Sequence, residues 1–204
     1  MSRTAATTTV NAIDSAAPAP ASPWHLREAR RCLDRGDVLA YPTEAVYGLG
    51  CDPLNAAAVL RLLALKQRPL EAGLILIAAD YTQIEPFVAP LSAPLRRRVF
   101  ASWPGPVTWL LPARPDVPAW LRGRHATLAV RITAHPGSRA LCQAFGGALV
   151  STSANPRGRT PARTALQVQR YFGNTVAVLH GPLGNRSRPS EIRDAATGRV
   201  LRNG

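Results

Sequence analysis

Short apolar runs that alternate with segments of helical periodicity are the feature that most constrains how this chain folds. Residues 38–41 and 73–79 are apolar runs with the length and composition of buried strands. Around them, apolar residues recur at helical spacing, as Leu26, Ala29 and Leu33 do. This alternation predicts an α/β fold, and short connections near the C-terminus predict that the sheet is mixed, with antiparallel parts.

The same patterns predict the boundaries of the elements. Helices are predicted at residues 23–35, 55–65, 93–102, 138–145 and 164–172. Strands are predicted at residues 38–41, 73–79, 107–111, 128–132, 148–151, 176–179, 191–195 and 199–201. Loops are predicted at residues 43–50, 112–124 and 156–161. We expect Asn55 to cap the second helix and Leu60, Leu63 and Ala64 to lie on one face of it.

A length of 204 residues suits one domain. Residues 1–23, rich in Ala, Thr, Ser and Pro, are expected to form a disordered tail, and residues 24–204 the folded domain. No apolar run approaches the ~20 residues that cross a bilayer, so we expect no membrane association. The three cysteines are odd in number and widely spaced, which fits a reducing cytoplasm. Neither they nor the four histidines show metal-ligand spacing, and we assign no metal ligand.

The chain is strongly basic, with a formal net charge of +13, and Asp116 is the only acidic residue between Pro86 and Ser190. Such a charge attracts polyanions, although scattered arginines also serve simply to keep a surface soluble. Among the 25 basic residues, Lys66 is the single lysine. A compact ammonium at this one position suggests a role that a planar guanidinium does not fill.

Three predicted loops follow strands, which is where open α/β sheets place functional residues. They come after Tyr41, Leu111 and Val150. We expect them to converge on one cleft.

Lys66 and Arg68 follow the second helix and could both bind phosphates if the backbone turns at Pro69. The alternative is that they cap the free carbonyls of the helix and complement its dipole.

The sequence STSAN (151–155) places hydroxyl and amide groups directly after a strand, where they could bind phosphate, ribose or a carboxylate. Taken alone, it is equally typical of a helix N-cap and turn. Gly48 and Gly50 lack the later glycine of a dinucleotide-binding fingerprint, and no G-x-x-x-x-G-K-[ST] sequence exists. The sequence therefore disfavours a P-loop enzyme.

Six segments taken together resemble the YrdC/TsaC family. They are YPTEAVYGLGCDP (41–53), LKQRP (65–69), WPGPVTWLLPA (103–113), LAVRITAHP (128–136), VSTSAN (150–155) and PSEIRDA (189–195). They follow the order of the family over residues 24–204 and resemble its short bacterial branch most. The resemblance implies a YrdC-type α/β fold: a twisted mixed parallel/antiparallel sheet, flanked by helices, around a concave positive cavity.

The resemblance also implies an activity, the synthesis of threonylcarbamoyl-AMP from L-threonine, bicarbonate or CO2, and ATP, with release of diphosphate. Mg²⁺ is expected to accompany ATP, bound through its phosphates and water. By resemblance, the product serves threonylcarbamoyladenosine formation at position 37 of tRNAs that read codons beginning with adenine. The implied partners are TsaB, TsaD and TsaE in the cytoplasm, and relatives of the short type also have an affinity for double-stranded RNA.

Roles for individual residues follow from the same resemblance. The family signatures K-x-R and S-x-N fall on this chain's segments 66–68 and 153–155, and Lys66 and Arg68 are the expected catalytic residues. The expected nucleotide-binding residues are Lys66, Arg68, Arg131, Arg139, Ser153 and Asn155. The expected threonine-binding residues are Thr43, Thr108 and Ser151.

Two other functions fit parts of the sequence. The first is a non-catalytic double-stranded RNA-binding factor in rRNA or tRNA maturation, which the charge supports but no RNA-binding motif does. The second is a carbamoyl-adenylate enzyme of the hydrogenase-maturation type, which shares the YrdC module but normally adds an acylphosphatase domain and zinc-finger cysteines.

Overall fold

The computed structural model of the protein describes residues 21–204. Its helices are α1 (Pro23–Asp34), α2 (Ala56–Lys66), α3 (Ala93–Phe100), α4 (Ala119–Arg122), α5 (Pro136–Phe145) and α6 (Ala165–Phe172). Its strands are β1 (Leu39–Pro42), β2 (Tyr47–Gly50), β3 (Ile75–Ala78), β4 (Val107–Pro112), β5 (Thr127–Ile132), β6 (Leu149–Ser153), β7 (Ala177–Val178), β8 (Glu191–Asp194) and β9 (Val200–Arg202). The predicted tail lies outside the described residues, except for residues 21–23.

The strands form one open sheet in the order β7-β1-β2-β6-β3-β5-β4-β8-β9. The pairs β1–β7, β3–β5 and β4–β8 are parallel, and the other neighbouring pairs are antiparallel. The prediction of an α/β fold with a mixed sheet is therefore confirmed. Each helix and strand predicted from the sequence is present, with boundaries shifted by a few residues.

Helices cover both faces of the sheet. On one face, α1 and α5 pack against β1, β3 and β6 through a core that includes Leu33, Tyr41, Ile77, Leu141 and Leu149. On the opposite face, a larger core takes residues from α2, α3 and α6, among them Leu62, Val99 and Val168. Because alternate residues of a strand point to opposite faces, the strands β1, β3 and β6 contribute to both cores.

Helix α2 positions the residues that matter most for the site. Asn55 caps its N-terminus as predicted, since its side chain accepts a hydrogen bond from Ala58 N at 3.1 Å. Of the residues predicted to share one face, Leu63 is buried but Leu60 is 55% exposed, and the buried residues on α2 also include Leu62 and Lys66. Since Lys66 is four residues after Leu62, its side chain lies on the face that packs onto the sheet.

The loop predicted at residues 43–50 is wrong for its second half, which forms β2. Gly50 explains why β2 lies so close to its neighbours and why the sequence predicts a strand here only weakly. A Cβ atom at this position would lie 2.4 Å from Val150 O and 2.7 Å from the Tyr41 ring. Glycine permits this approach, but it also lowers the strand propensity of the sequence. The loop predicted at residues 112–124 likewise contains the short helix α4.

Candidate functional site: a cationic cavity on the sheet

A cavity of about 650 Å³ opens on one face of the sheet. Neighbouring strands β2, β6, β3, β5 and β4 form its floor, and the floor residues are paired across the sheet or lie beside such pairs. They are Gly48, Ser151, Ile75, Ala129 and Leu110. Most of these side chains are small or absent, which leaves a depression between bulkier walls.

The walls come from segments that are distant in the sequence. They are residues 43–46 after β1, 66–69 after α2, 121–127 after β4, 153–157 after β6, and parts of 189–202. The three loops that follow Tyr41, Leu111 and Val150 thus contribute to one cavity, as the sequence analysis expects. The volume is in the range of natural small-molecule sites, about 300–1,000 Å³.

Lys66 is buried in the wall and is held by the segment that follows β6. Its Nζ donates hydrogen bonds to the backbone oxygens of Ser153 and Asn155, the latter at 2.8 Å, and contacts Asn155 Oδ1 at 3.1 Å and Ser153 Oγ at 3.3 Å. Ser153 Oγ in turn donates to Asn155 Oδ1 at 2.6 Å. Lys66 therefore does not cap its own helix, and the K-x-R and S-x-N segments meet at one point.

The surroundings of Lys66 destabilise the charged form of its side chain. Burial, followed by the nearby Arg68 guanidinium, lowers the pKa of Lys66 to about 8. A group with such a pKa exchanges protons near neutral pH, which is common at functional sites.

Arg68 reaches the same cavity because the backbone turns at Gln67, which adopts the left-handed conformation with φ 50°. The sequence predicts this turn at Pro69, two residues further along the chain. The Arg68 guanidinium donates to Gly73 O at 2.9 and 3.2 Å and to Ala72 O at 3.3 Å. These bonds hold Arg68 at the rim and do not cap α2.

Arg131 and Glu44 form a buried ion pair in the cavity, with Arg131 Nη2 3.4 Å from Glu44 Oε2. The other carboxylate oxygen, Oε1, accepts a hydrogen bond from Thr133 Oγ1 at 2.6 Å. Burial alone would raise the pKa of Glu44, but the Arg131 guanidinium and the Thr133 hydroxyl outweigh it and hold this pKa below its ordinary value. Glu44 is therefore an anion at neutral pH.

Two of the expected threonine-binding residues, Thr43 and Ser151, line the cavity. Both are buried, and Thr43 Oγ1 donates to Val46 O at 2.7 Å. The third, Thr108, does not line it. Thr108 is fully buried, and its Oγ1 lies 3.0 Å from the Oγ of Ser190, which does face the cavity. Thr108 thus supports the wall through Ser190.

Arg139 does not line the cavity, and its contact with the nucleotide stays a prediction. Its guanidinium donates to Ala79 O at 2.8 Å and to Thr133 O at 3.4 Å. The packing of α5 against β3 directs the side chain to the end of the sheet, where it binds free carbonyls. Its role in this structure is to hold the chain that follows β3 and β5.

Arg202 also lines the cavity, although the sequence does not predict it as a site residue. Its Nη2 and Nε donate to Ser190 O at 2.6 and 3.2 Å, and burial, Arg131 and Arg68 together lower its pKa. Ser190 lies within PSEIRDA (189–195), one of the six segments that resemble the family, and this signal could have singled it out. Arg202 lies on the last strand, beyond that segment, and no local pattern distinguishes it from other arginines.

The cavity is strongly cationic. Its charged lining consists of Lys66, Arg68, Arg122, Arg131, Arg157 and Arg202 against Glu44. Such a concentration of positive charge favours a polyanionic ligand. Within residues 21–204, no group of His, Cys, Asp and Glu is arranged to hold a metal ion. In the same range, no helix has the length and apolar character of a membrane span.

Comparison with known proteins connects this geometry to a family. The family model Sua5_yciO_yrdC, described as "Telomere recombination", matches residues 31–204. A protein named threonylcarbamoyl-AMP synthase from Nitrosococcus oceani is 57% identical over 88% of this chain and 97% of its own length. A protein of the same name from Halorhodospira halophila is 56% identical over 91% of this chain and 97% of its own length.

A solved structure is also similar. The crystal structure of P. abyssi Sua5 complexed with L-threonine superposes with a TM-score of 0.78 at 30% identity. The superposition covers 85% of this chain and 51% of the Sua5 chain, so this chain spans about half the length of that protein. In that relative, the shared fold is accompanied by bound L-threonine.

Proposed function

The chain belongs to the Sua5/YciO/YrdC family, and from this premise we propose that it is an L-threonylcarbamoyladenylate synthase, a nucleotidyltransferase. It makes threonylcarbamoyl-AMP from L-threonine, bicarbonate or CO2, and ATP, and releases diphosphate. The observation that carries this proposal is the meeting of Lys66, Arg68, Ser153 and Asn155 in one cationic cavity. Relatives that are 56–57% identical over nearly their whole length and bear this name support it.

The reaction has two steps, carbamate formation and nucleotidyl transfer. The neutral amine of threonine adds to CO2 and loses a proton to solvent, or combines with bicarbonate with loss of water, to give a carbamate. A carbamate oxygen then attacks the α-phosphorus of ATP, the bond from this phosphorus to the bridging oxygen breaks, and diphosphate leaves. Because most charge in this step resides on phosphate oxygens, positioning and charge neutralisation supply the catalysis.

Lys66 and Arg68 are the proposed catalytic residues. Both carry their charge into the cavity beside the hydroxyl and amide groups of Ser153 and Asn155. There they would neutralise negative charge that moves onto the α-phosphate and the leaving diphosphate. Arg131 is the further nucleotide-binding residue, and Arg202 supplies a cation that we add to this set.

L-threonine would bind beside the floor of the cavity, near Thr43 and Ser151, with Thr108 acting through Ser190. Thr43 Oγ1 donates its hydrogen to Val46 O and can still accept from the ammonium of an amino acid, whereas the Ser151 hydroxyl can accept from the ammonium or donate to the carboxylate. The L-threonine bound to the related Sua5 supports this assignment.

Mg²⁺ would enter with ATP, bound to its phosphates and to water. Glu44 is the only carboxylate in the cavity lining of the described residues, and it is already paired with Arg131. The described part of the chain thus offers the ion no resident site of its own.

Transfer of the threonylcarbamoyl group to tRNA position 37 would require the partners TsaB, TsaD and TsaE, in the cytoplasm. The net charge of +13 supports an additional affinity for tRNA or double-stranded RNA. That affinity would come from the surface charge and would be additional to the proposed catalysis.

The direct test is incubation of the purified protein with ATP, L-threonine and bicarbonate. We expect diphosphate release that depends on both threonine and bicarbonate, together with a product of the mass of threonylcarbamoyl-AMP. RNA binding without turnover would support the RNA-binding factor instead. Turnover with carbamoyl phosphate in place of threonine would support the carbamoyl-adenylate enzyme.

A further inference from the structure

The ion pair between Glu44 and Arg131 is unusual among the pairs of this protein because it is buried. The two side chains are 12% and 8% exposed, whereas both partners in the pairs of α1 are largely exposed. An isolated charge at such depth is strongly unfavourable, so each partner depends on the other for its place. Arg131 is therefore held in the cavity by Glu44.

Glu44 itself is fixed on several sides. Thr133 Oγ1 donates to its Oε1 at 2.6 Å, and Arg186 N donates to its backbone oxygen at 3.1 Å. Gly184 packs so closely against it that a Cβ atom there would lie 2.8 Å from Glu44 O. The carboxylate is thus a rigid reference point against which a flexible guanidinium can be oriented.

The second carboxylate oxygen of Glu44, Oε2, faces the Arg131 guanidinium. Glu44 Oε2 is buried and has no hydrogen-bond partner among the described residues. The Nε atom of Arg131 is likewise buried and without a hydrogen-bond partner among the described residues, and Arg131 lines the cavity. The negative charge of Glu44 therefore acts on the cavity through the orientation of Arg131.

We propose that Glu44 is a positioning residue of the synthase reaction, which orients the Arg131 guanidinium so that its N–H groups meet a phosphate or carboxylate group of the substrates. This inference rests on the proposed function. A planar guanidinium binds such anions through paired, directional hydrogen bonds, so its orientation decides how well it binds.

A simpler electrostatic role makes the opposite prediction. Glu44 is the only negative charge in the lining of a cavity that binds anions. If it did no more than reduce the positive potential, its neutralisation would tighten ATP binding. If Glu44 orients Arg131, neutralising Glu44 lowers kcat/KM for ATP.

A double-mutant cycle with Glu44→Gln and Arg131→Gln tests the inference. Glutamine keeps an acceptor for Thr133 but removes the charge that holds Arg131. We expect Glu44→Gln to lower kcat/KM for ATP about tenfold or more, which corresponds to a coupling of the size found between contacting residues. In the Arg131→Gln protein, the same change should have less than about a twofold effect because no guanidinium remains to be oriented.

Two further variants keep the outcome clear. Glu28→Gln removes a carboxylate paired with Arg31 on the surface of α1 and should leave kcat/KM unchanged. If Glu44→Gln fails to fold in a thermal unfolding assay, Thr133→Val removes the other anchor of the carboxylate and should lower kcat/KM several-fold.

Additive effects in the cycle, or a tighter affinity for ATP with unchanged kcat, would overturn the inference. Failure of the wild-type protein to release diphosphate would contradict the proposed function instead. In that case the Kd of ATP is measured by calorimetry for the same four proteins of the cycle. The inference still predicts that Glu44→Gln weakens ATP binding only when Arg131 is present.

Discussion

Lys66 is held by one neighbouring segment more tightly than a lysine at a helix end usually is. Its ammonium contacts backbone and side-chain oxygens of Ser153 and Asn155, and it is nearly inaccessible to solvent. These oxygens fix the ammonium before a ligand binds, so that its positive charge is already in place beside the cavity when a phosphate enters.

Lys66→Ala should lower kcat for threonine-dependent diphosphate release by about 100-fold or more, since it removes a fixed positive charge from the phosphate site. It should also lower the free energy of unfolding by about 1–3 kcal/mol, because the oxygens of Ser153 and Asn155 lose a buried partner. Steady-state kinetics and urea unfolding measure the two effects. The control Arg61→Ala changes an exposed cation of the same helix that is paired with Asp37. Near-normal turnover by a folded Lys66→Ala protein would refute the assignment.

The lowered pKa of Lys66 predicts a dependence of activity on pH. The ammonium is charged below its pKa, which the fold moves from 10.5 to about 8. If the charged form binds ATP, kcat/KM for ATP should fall roughly tenfold per pH unit above about pH 8, because this ratio reports the free enzyme.

The control for this pH profile is Lys66→Arg, whose guanidinium keeps its charge to high pH. We expect a lower activity in this variant but no decline centred near pH 8. A flat wild-type profile up to pH 10, or the same decline in both proteins, would show that another group titrates.

The residues of the site differ in how far the sequence predicts them. Lys66, Arg68, Ser153 and Asn155 belong to compact signatures, and the structure brings them together. The place of Arg139 depends on how α5 packs, and that of Arg202 on the pairing of the last strand. Such positions follow from tertiary contacts and leave no local trace in the sequence.

At the scale of elements, β2 shows how the backbone shapes the cavity. Gly48 lies on the cavity floor, and Gly50 permits the close approach of β6, which carries Ser151 and Ser153. The sequence predicts β1, β3, β5 and β6 because their apolar runs are continuous. It does not predict β2, because two glycines in four residues are typical of a loop.

Gly50→Ala should destabilise the protein by about 2–3 kcal/mol, because the new methyl group would collide with Val150 O and the Tyr41 ring. Chemical unfolding followed by circular dichroism measures the effect. The matched control is Gly147→Ala, whose Cβ atom would meet only the Phe145 ring at 3.6 Å and should change stability by less than about 1 kcal/mol. Equal stabilities of the two variants would show that β2 and β6 are not packed as described.

At the scale of the whole molecule, the sheet order brings distant parts of the chain to one cavity. The loop after β1 supplies Glu44 to the cavity, and the strand β9 supplies Arg202. These two charged residues are far apart in the sequence. Periodicity predicts the elements but not their order, because strand order is decided by pairings between remote segments. In this case the family resemblance supplied the arrangement that the patterns alone did not.

The most direct test of the account is a crystal structure of the protein with a non-hydrolysable ATP analogue and L-threonine. We predict a single nucleotide in the cavity, with its phosphates against Lys66, Arg68 and Arg202 and the threonine beside Thr43 and Ser151, near the α-phosphate. A nucleotide bound on another face of the protein, or a threonine remote from the α-phosphate, would contradict it.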